Sequence, residues 1–550
     1  MKKLTLAITL ALIIAPSAFA NGLSDAALTG NNAGLNYTQG ANSMTINCPT
    51  VTTNVEWQKL NVGANEALNF NFARANSTAY NTVVGGSVST IAGKINAIGA
   101  GADTSSIVLT NPSGVTFANG AVLNVGQFTV RALGGPVNIN GVNATGTLSV
   151  RTPGGNITVT GNNYVGKNFL LNGTRKTING VSTPIAANDV NIENAVVNVP
   201  NGSFNIGLAK NVNINNSRIN AKEDSMIWSW GGNTNIANSS VKLSDGTIRL
   251  VTTTAKLKNT DLEIGRNSTV RNIYMQDSNL KAKDTEVIHS IRLGYNPDSE
   301  EYLRNDSSTL KISDSNVNII ELQSKNNKAD ISSTDINSHL YSVSGGDVKV
   351  SNNTGHNILR LIHYNGNLQV SDAKVFGLDV QNSNIDLSNI NTTHAKVQLP
   401  TSLIGQNIAL ETSNGTIVKN NATSSDIQSL NAEIANMIAN GKITKASLRI
   451  LPQTVNNTVA SASGAASGAN TSAASSNMNN ATTVVDTLKV NTNNYNMNNN
   501  TNTNSIANQF LKNVKSLAVD DNENEKKKQA KLRKLSNGFR IEEKVVPIER

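Results

Sequence analysis

The chain holds one cysteine in 550 residues, Cys48, so no intramolecular disulfide can form and a bridged secreted scaffold is excluded. A lone thiol of this kind reads as an inert buried hydrophobe. Aromatic residues make up only 4%, while asparagine supplies about one residue in six, which is far from the composition of an ordinary globular enzyme core. Beyond the first twenty residues, no apolar run reaches the ~18 positions a membrane helix needs. No stretch between Val137 and Asn420 sustains an i, i+3, i+4, i+7 apolar stripe for three turns, and that absence removes helical frameworks, leucine-rich repeats included. Acidic residues are scattered, so no acid/base pair stands out, no catalytic residue is assigned, and a polysaccharide-active enzyme is a weak third reading.

The net charge of +9 is not a property of the body of the chain. Residues 526–550 carry nine Lys/Arg against three Glu, and Lys2 and Lys3 add two more, which leaves the remainder near +1. A basic groove for specific nucleic-acid binding is therefore not expected.

What is present begins with Met1-Lys2-Lys3, an apolar run from Leu4 to Ile14, Pro16 and Ala18-Phe19-Ala20. This is the pattern of a secretory signal peptide cleaved after Ala20. The body then repeats a phrase, apolar-x-(Asn/Asp)-(Ser/Thr)-x-apolar. Examples are Ile214-Asn215-Asn216-Ser217-Arg218-Ile219, Ile236-Ala237-Asn238-Ser239-Ser240-Val241 and Ile312-Ser313-Asp314-Ser315-Asn316-Val317. Counted at the third position, the steps from Asn216 to Asn389 are 22, 21, 18, 37, 19, 19, 20 and 17, and the 37 reads as two steps with one degenerate copy.

A period near twenty with apolar residues alternating on both sides of a polar corner specifies stacked coils of short strands. Asn and Asp suit the corner because they tolerate left-handed backbone and bond their own main chain. The expected fold is all-β, a right-handed parallel β-helix of ~20-residue coils. Running from about Val51 to Asn420, it has about eighteen coils and a length of roughly 85–90 Å at ~4.8 Å per coil. Same-phase asparagines are expected to stack as hydrogen-bonded ladders.

Residues 21–50 read as an N-terminal cap. Ser425-Asp426 followed by Ile427, Leu430, Ile434 and Ile438 read as an amphipathic capping helix within 424–455. Residues 456–505 form an Asn/Ser/Ala-rich linker and 506–550 a basic tail, together a disordered C-terminal extension.

Three phrases near the front are not plain coil. They are Trp57-Gln58-Lys59-Leu60-Asn61-Val62-Gly63-Ala64-Asn65-Glu66-Ala67-Leu68-Asn69-Phe70, then Tyr80-Asn81-Thr82-Val83-Val84-Gly85, then Asn111-Pro112-Ser113-Gly114-Val115-Thr116-Phe117. In this order they closely resemble the TPS, or haemagglutination-activity, domain of filamentous-haemagglutinin-like exoproteins, the TpsA passengers of bacterial two-partner secretion. Tyr80 and Thr82 depart from the family's usual aliphatic and basic residues.

The resemblance implies a TPS domain over 21–265 and a β-helix extension over 266–423. It also implies a TpsB transporter of the Omp85 type with periplasmic POTRA domains as partner, and export to the cell surface or medium. An adhesin role follows from the same resemblance, with a toxin-delivery passenger as the alternative. Asn61, Gly63, Asn81, Asn111, Pro112, Ser113 and Gly114 are the implied transporter-recognition and turn positions. On residue chemistry alone, Asn111-Pro112-Ser113-Gly114 is a structural β-turn.

No cofactor or metal is expected. The five histidines, His289, His339, His356, His363 and His394, lack carboxylate or thiol neighbours at ligand spacing, although His339, His356 and His394 sit at similar distances after their corners. Trp228 and Trp230 share one strand face, as core cover or as a sugar-stacking platform.

Overall fold

A computed structural model describes residues 22–452 except 179–180, 266, 343–345, 364–365, 382–384 and 441–444. The leader with Ala20, the linker and the basic tail lie outside the described residues.

Strands stack as a parallel solenoid of about 16 turns. Three ladders run along it. The first begins at Ser43–Cys48 and passes through Ala67–Phe72 and Lys94–Ile98 to Asn367–Ser371 and Ile385–Ser388. The second begins at Thr52–Leu60 and continues through Thr78–Val83, Ser106–Thr110 and Gln127–Arg131. The third runs from Ser89–Ile91 through Val115–Phe117 to His394–Gln398. Along each strand alternate residues point inward, as in Ala67–Phe72, where Leu68, Phe70 and Phe72 are buried. The core is Val, Ile and Leu throughout, with a few aromatic pairs such as Phe169 and Phe204, whose rings meet edge to face at 5.8 Å. Each such buried side chain contributes roughly 1.5–3 kcal/mol.

The repeated phrase marks the corners. Asn216, Asn238, Asn259, Asp277, Asp314, Ser333, Asn352, Asp372 and Asn389, its third position in every copy, all have positive φ between 44° and 54°. In the copies from Asn216 to Ser333 the Ser or Thr that follows is buried, and it ties coils together. Ser217 N donates to Ser239 Oγ in the next coil at 3.0 Å, while Ser239 Oγ donates to Ala237 O at 2.6 Å. Thr260 N to Ser278 Oγ (3.2 Å) and Thr285 N to Ser315 Oγ (3.1 Å) repeat the contact. The expected asparagine ladders are present: Asn235 donates to Asn213 and Asn213 to Asn191, each at 2.8 Å.

The step of 37 is not a missing copy. Up to Asp277 the phrase turns the chain from the third ladder into the first, but from Asp314 onward it turns the first into the second. Both corners occur in one coil, at Asp277 and at Asp284 (φ 49°), where Ala282-Lys283-Asp284-Thr285-Glu286-Val287 is a further copy. The coil after Asp284 then leaves the solenoid for an excursion over residues 294–308, which includes the pairing of Tyr295–Asn296 with Glu301–Tyr302. A second excursion, Thr174–Ile178 against Val181–Ile185, leaves an earlier coil.

The parallel coils end at Gln398 rather than near Asn420, giving about 16 coils and roughly 75–80 Å in place of eighteen. The following segment closes the end. Asn407–Thr412, Gly415–Lys419 and Lys445–Leu451 pair antiparallel, and Lys445–Leu451 also covers Ile385–Ser388. Helix α1, Ser424–Ala439, starts on a capping box between Thr423 and Asp426 and buries Ile427, Leu430, Ile434 and Ile438. At the other end Ala26–Leu28 and Tyr37–Gly40 pair antiparallel with the first coil, so both exposed sheet edges are covered.

Candidate functional site

The first of the three front phrases clasps the N-terminal cap to the first coils, and the other two lie within those coils. Asn61 is its pin. Its Nδ2 donates to Asp25 Oδ2 at 2.5 Å, its backbone N–H to Asp25 O at 3.1 Å, and its Oδ1 accepts Thr90 N–H at 2.6 Å. Lys59 completes the contact, 2.6 Å from Asp25 Oδ1, and Lys59 and Asn61 together hold the Asp25 carboxyl below its usual range. Glu66, buried beneath, accepts Ser24 N–H and Gly63 N–H, each at 2.7 Å. Burial opposes ionisation there, but the bonds from Ser24 and Gly63 prevail and lower the Glu66 pKa. Glu56 fixes the next part of the cap, accepting Thr29 Oγ1 at 2.8 Å and Asn31 Nδ2 at 2.7 Å.

Asn81 lies inside the coil, 2% exposed, and accepts the indole N–H of the fully buried Trp57 at 3.0 Å. Gly85 passes so close to Gln58 that a Cβ would lie 1.9 Å from its carbonyl oxygen. Asn111 is also fully buried. It donates to Ser87 O (3.0 Å) and Ser89 Oγ (2.9 Å), and its Oδ1 accepts Ser113 N–H at 2.9 Å. Gly114 N–H closes the β-turn on Asn111 O at 3.1 Å, and Gly114 itself has φ 113° with Pro136 O 2.4 Å from any added Cβ. Only Gly fits there. Pro112 is exposed and Ser113 half-buried.

The motif thus divides by face. Trp57, Leu60, Val62, Leu68, Phe70, Asn81 and Asn111 point inward, whereas Tyr80 and Thr82, the positions that depart from the family pattern, point outward. Trp57 and Glu66 stand in the quoted phrase, yet only the structure shows that they carry its two central bonds.

The family model for the TPS secretion domain matches residues 20–272, which contain the whole clasp. The front of the chain is a TPS secretion domain. That domain supports a two-partner secretion exoprotein, and the match covers the front half of the chain alone. The TPS domain ends where the phrase is about to change corners, since Asp277 is the last third-to-first corner that it marks. Two curated relatives, both heme/hemopexin-binding proteins of Haemophilus influenzae, are similar over short stretches. One is 42% identical over 84 residues, 15% of this chain and 9% of its own length, and the other 33% identical over 85 residues, 16% and 8%. The chain therefore spans about a tenth of those proteins. The solved HMW1 secretion domain from Haemophilus influenzae is 17% identical, with 65% of this chain and all of that one covered and a TM-score of 0.29. At that score the likeness carries no weight.

Other sequence candidates fall elsewhere. His339 and His394 do not share a stack: Leu340 aligns with Leu361, Val380 and Val397, whereas His394 aligns with Gly377 and Ile358. His363 is buried and His394 exposed, and the side chain of His356 lies outside the described residues. Among the described residues no three His, Cys, Asp or Glu side chains converge as metal ligands, and no helix is long and apolar enough to cross a membrane. Cys48 is buried, and burial raises its thiol pKa. Trp228 and Trp230 lie 5.4 Å apart, Trp230 half exposed.

Proposed function

We propose that the TPS domain is read by a TpsB barrel through its POTRA domains while still unfolded, and that the exported chain acts as an adhesin at or beyond the cell surface. The observation that carries this reading is the burial of the motif's polar side chains. Asn111, Asn81 and Glu66 are buried with their polar atoms committed to partners inside the fold, so a transporter meeting the finished solenoid would find little of the motif to touch. An extended segment offers those same groups, and can add to a POTRA sheet edge through main-chain hydrogen bonds. Folding outside then withdraws the motif from the transporter and gives export a direction, since each coil that stacks buries apolar surface.

The absence of disulfides suits passage of an unfolded chain, and the long lateral faces of the solenoid suit multivalent attachment. The binding named for the Haemophilus relatives is not carried over, because the likeness spans under a tenth of either protein.

The test is fractionation of cells with and without the POTRA-bearing barrel. Export to surface or medium is expected only with it, and full export without it refutes the reading. Asn111→Ala should slow export; unchanged secretion would remove the turn from recognition and early folding. Adhesion is tested separately, by attachment of cells that do and do not export the chain.

A further inference from the structure

The outward asparagine stack of the third ladder changes character near the excursion over residues 294–308. Asn191, Asn213 and Asn235 are followed in register by Lys256, Tyr274 and Arg292. Asn235 donates to Asn213, but its own Oδ1 accepts nothing among the described residues. Above this stack the excursion folds back as a wall. The rings of Tyr274 and Tyr295 lie 5.3 Å apart, Tyr295 and Tyr302 5.1 Å apart, and the Arg292 guanidinium sits 5.1 Å from the Tyr295 ring centre. Lys256 pairs with Asp298 of the excursion and holds the wall to the floor. Between them is an open groove of about 420 Å³, within the range of small-ligand sites, lined by Asn235, Lys256, Lys258, Tyr274, Tyr295 and Asn296 among others. Lys258 is exposed and makes no ion pair among the described residues.

We infer that this groove binds a carbohydrate chain, with sugar rings against Tyr274 and Tyr295 and an acidic substituent at Lys258. Aromatic faces accept the apolar C–H face of a pyranose, and the Asn296 amide, whose Oδ1 already accepts Asp298 N–H, supplies Nδ2 donors for its hydroxyls. The unpaired ammonium sets the sign of the charge the ligand should carry. The groove straddles the end of the TPS match, with Asn235, Lys256 and Lys258 inside it and Tyr274, Tyr295 and Asn296 beyond it. The inference deepens the adhesin reading by naming the ligand class, and rests on that reading for its biological sense.

The experiment uses the purified exported chain against an array of neutral and carboxylated or sulfated oligosaccharides, with affinities then measured by calorimetry. Binding is expected for acidic members. Tyr295→Ala should weaken it about tenfold or more. Lys258→Glu, at an exposed side chain whose change leaves the fold intact, should remove the preference for acidic over neutral sugars. Circular dichroism checks that the β signal survives in both variants; if Tyr295→Ala fails to fold, Lys258→Glu decides alone. No saccharide binding, or binding that Lys258→Glu leaves unchanged, overturns the site. Sugar binding by the purified chain without any contribution to cell attachment would instead leave the site standing and refute the adhesin reading.

Discussion

The indole Nε1 of Trp57 donates to Asn81 Oδ1 at 3.0 Å across two adjacent coils, with both side chains shielded from water. Neither group has another route to satisfaction: the carbonyl contacts of Asn81, to Ala79 O at 3.3 Å and Val108 O at 3.4 Å, use its amide hydrogens instead. Asn81→Leu should therefore destabilise the front coils by about 1–3 kcal/mol by orphaning a buried donor. Trp57→Phe with Asn81→Leu together should cost less than the two singles summed. Denaturant unfolding of the four proteins checks it, and strict additivity would show that the bond contributes nothing.

The corner residues make a sharper comparison. Asn238 sits at φ 50°, and Ser239 beside it accepts Ser217 N–H. Asn238→Val forces a β-branched side chain into left-handed backbone and should cost at least about 1–2 kcal/mol, whereas Asn238→Gly should be nearly neutral. Ser239→Ala should cost about 1–3 kcal/mol because the Ser217 amide stays buried without an acceptor. Thermal unfolding ranks the three variants, and equal effects of Val and Gly would contradict the backbone argument.

These corners are also where the sequence was most legible. A residue type that tolerates positive φ, followed by a hydroxyl and flanked by alternating apolar residues, announces a bend between strands, and every quoted copy is one. What the phrase does not encode is which bend. The same residues close the third-to-first corner at Asn259 and the first-to-second corner at Asp314, because the local backbone demand is identical, and only the irregular step of 37 hinted at the change. The excursions at residues 174–185 and 294–308 were missed for a related reason: their strands pair locally and carry no coil period. In the clasp, the motif residues were legible as a family pattern, but not that Glu66 and Asn61 reach 42 and 36 residues back to the cap, since such contacts have no sequence period.

Acid should loosen that cap. The Glu66 pKa is lowered in the folded chain, so the carboxylate favours folding above its unfolded pKa, and this contribution is lost as pH falls through the folded value. Glu66→Gln is expected to reduce stability at neutral pH and to flatten the decline between neutral pH and the acid side of the ordinary Glu range. Urea midpoints measured against pH for both proteins test it. Parallel curves would mean that the bonds from Ser24 and Gly63 do not depend on the charge.

The excursion over residues 294–308 is held to the solenoid by Asp306, which is 2% exposed. Its Oδ1 accepts Asp277 N–H at 2.6 Å, and its Oδ2 accepts Ser308 N–H at 3.0 Å and Asn327 Nδ2 at 2.5 Å. Ser308 then enters the hydroxyl column beneath Ser278, so one carboxylate returns the chain to register after fifteen residues outside it, 294–308. Asp306→Ala removes all three acceptor contacts and leaves buried donors behind, a loss of about 2 kcal/mol or more. Because a coil contacts only its neighbours, the damage should stay local. Limited proteolysis should then cut within residues 294–305 of the variant while the remainder of the solenoid resists, and the β signal by circular dichroism should hardly change. Cleavage spread evenly along the chain would show instead that the coils on either side of the excursion unfold as one unit.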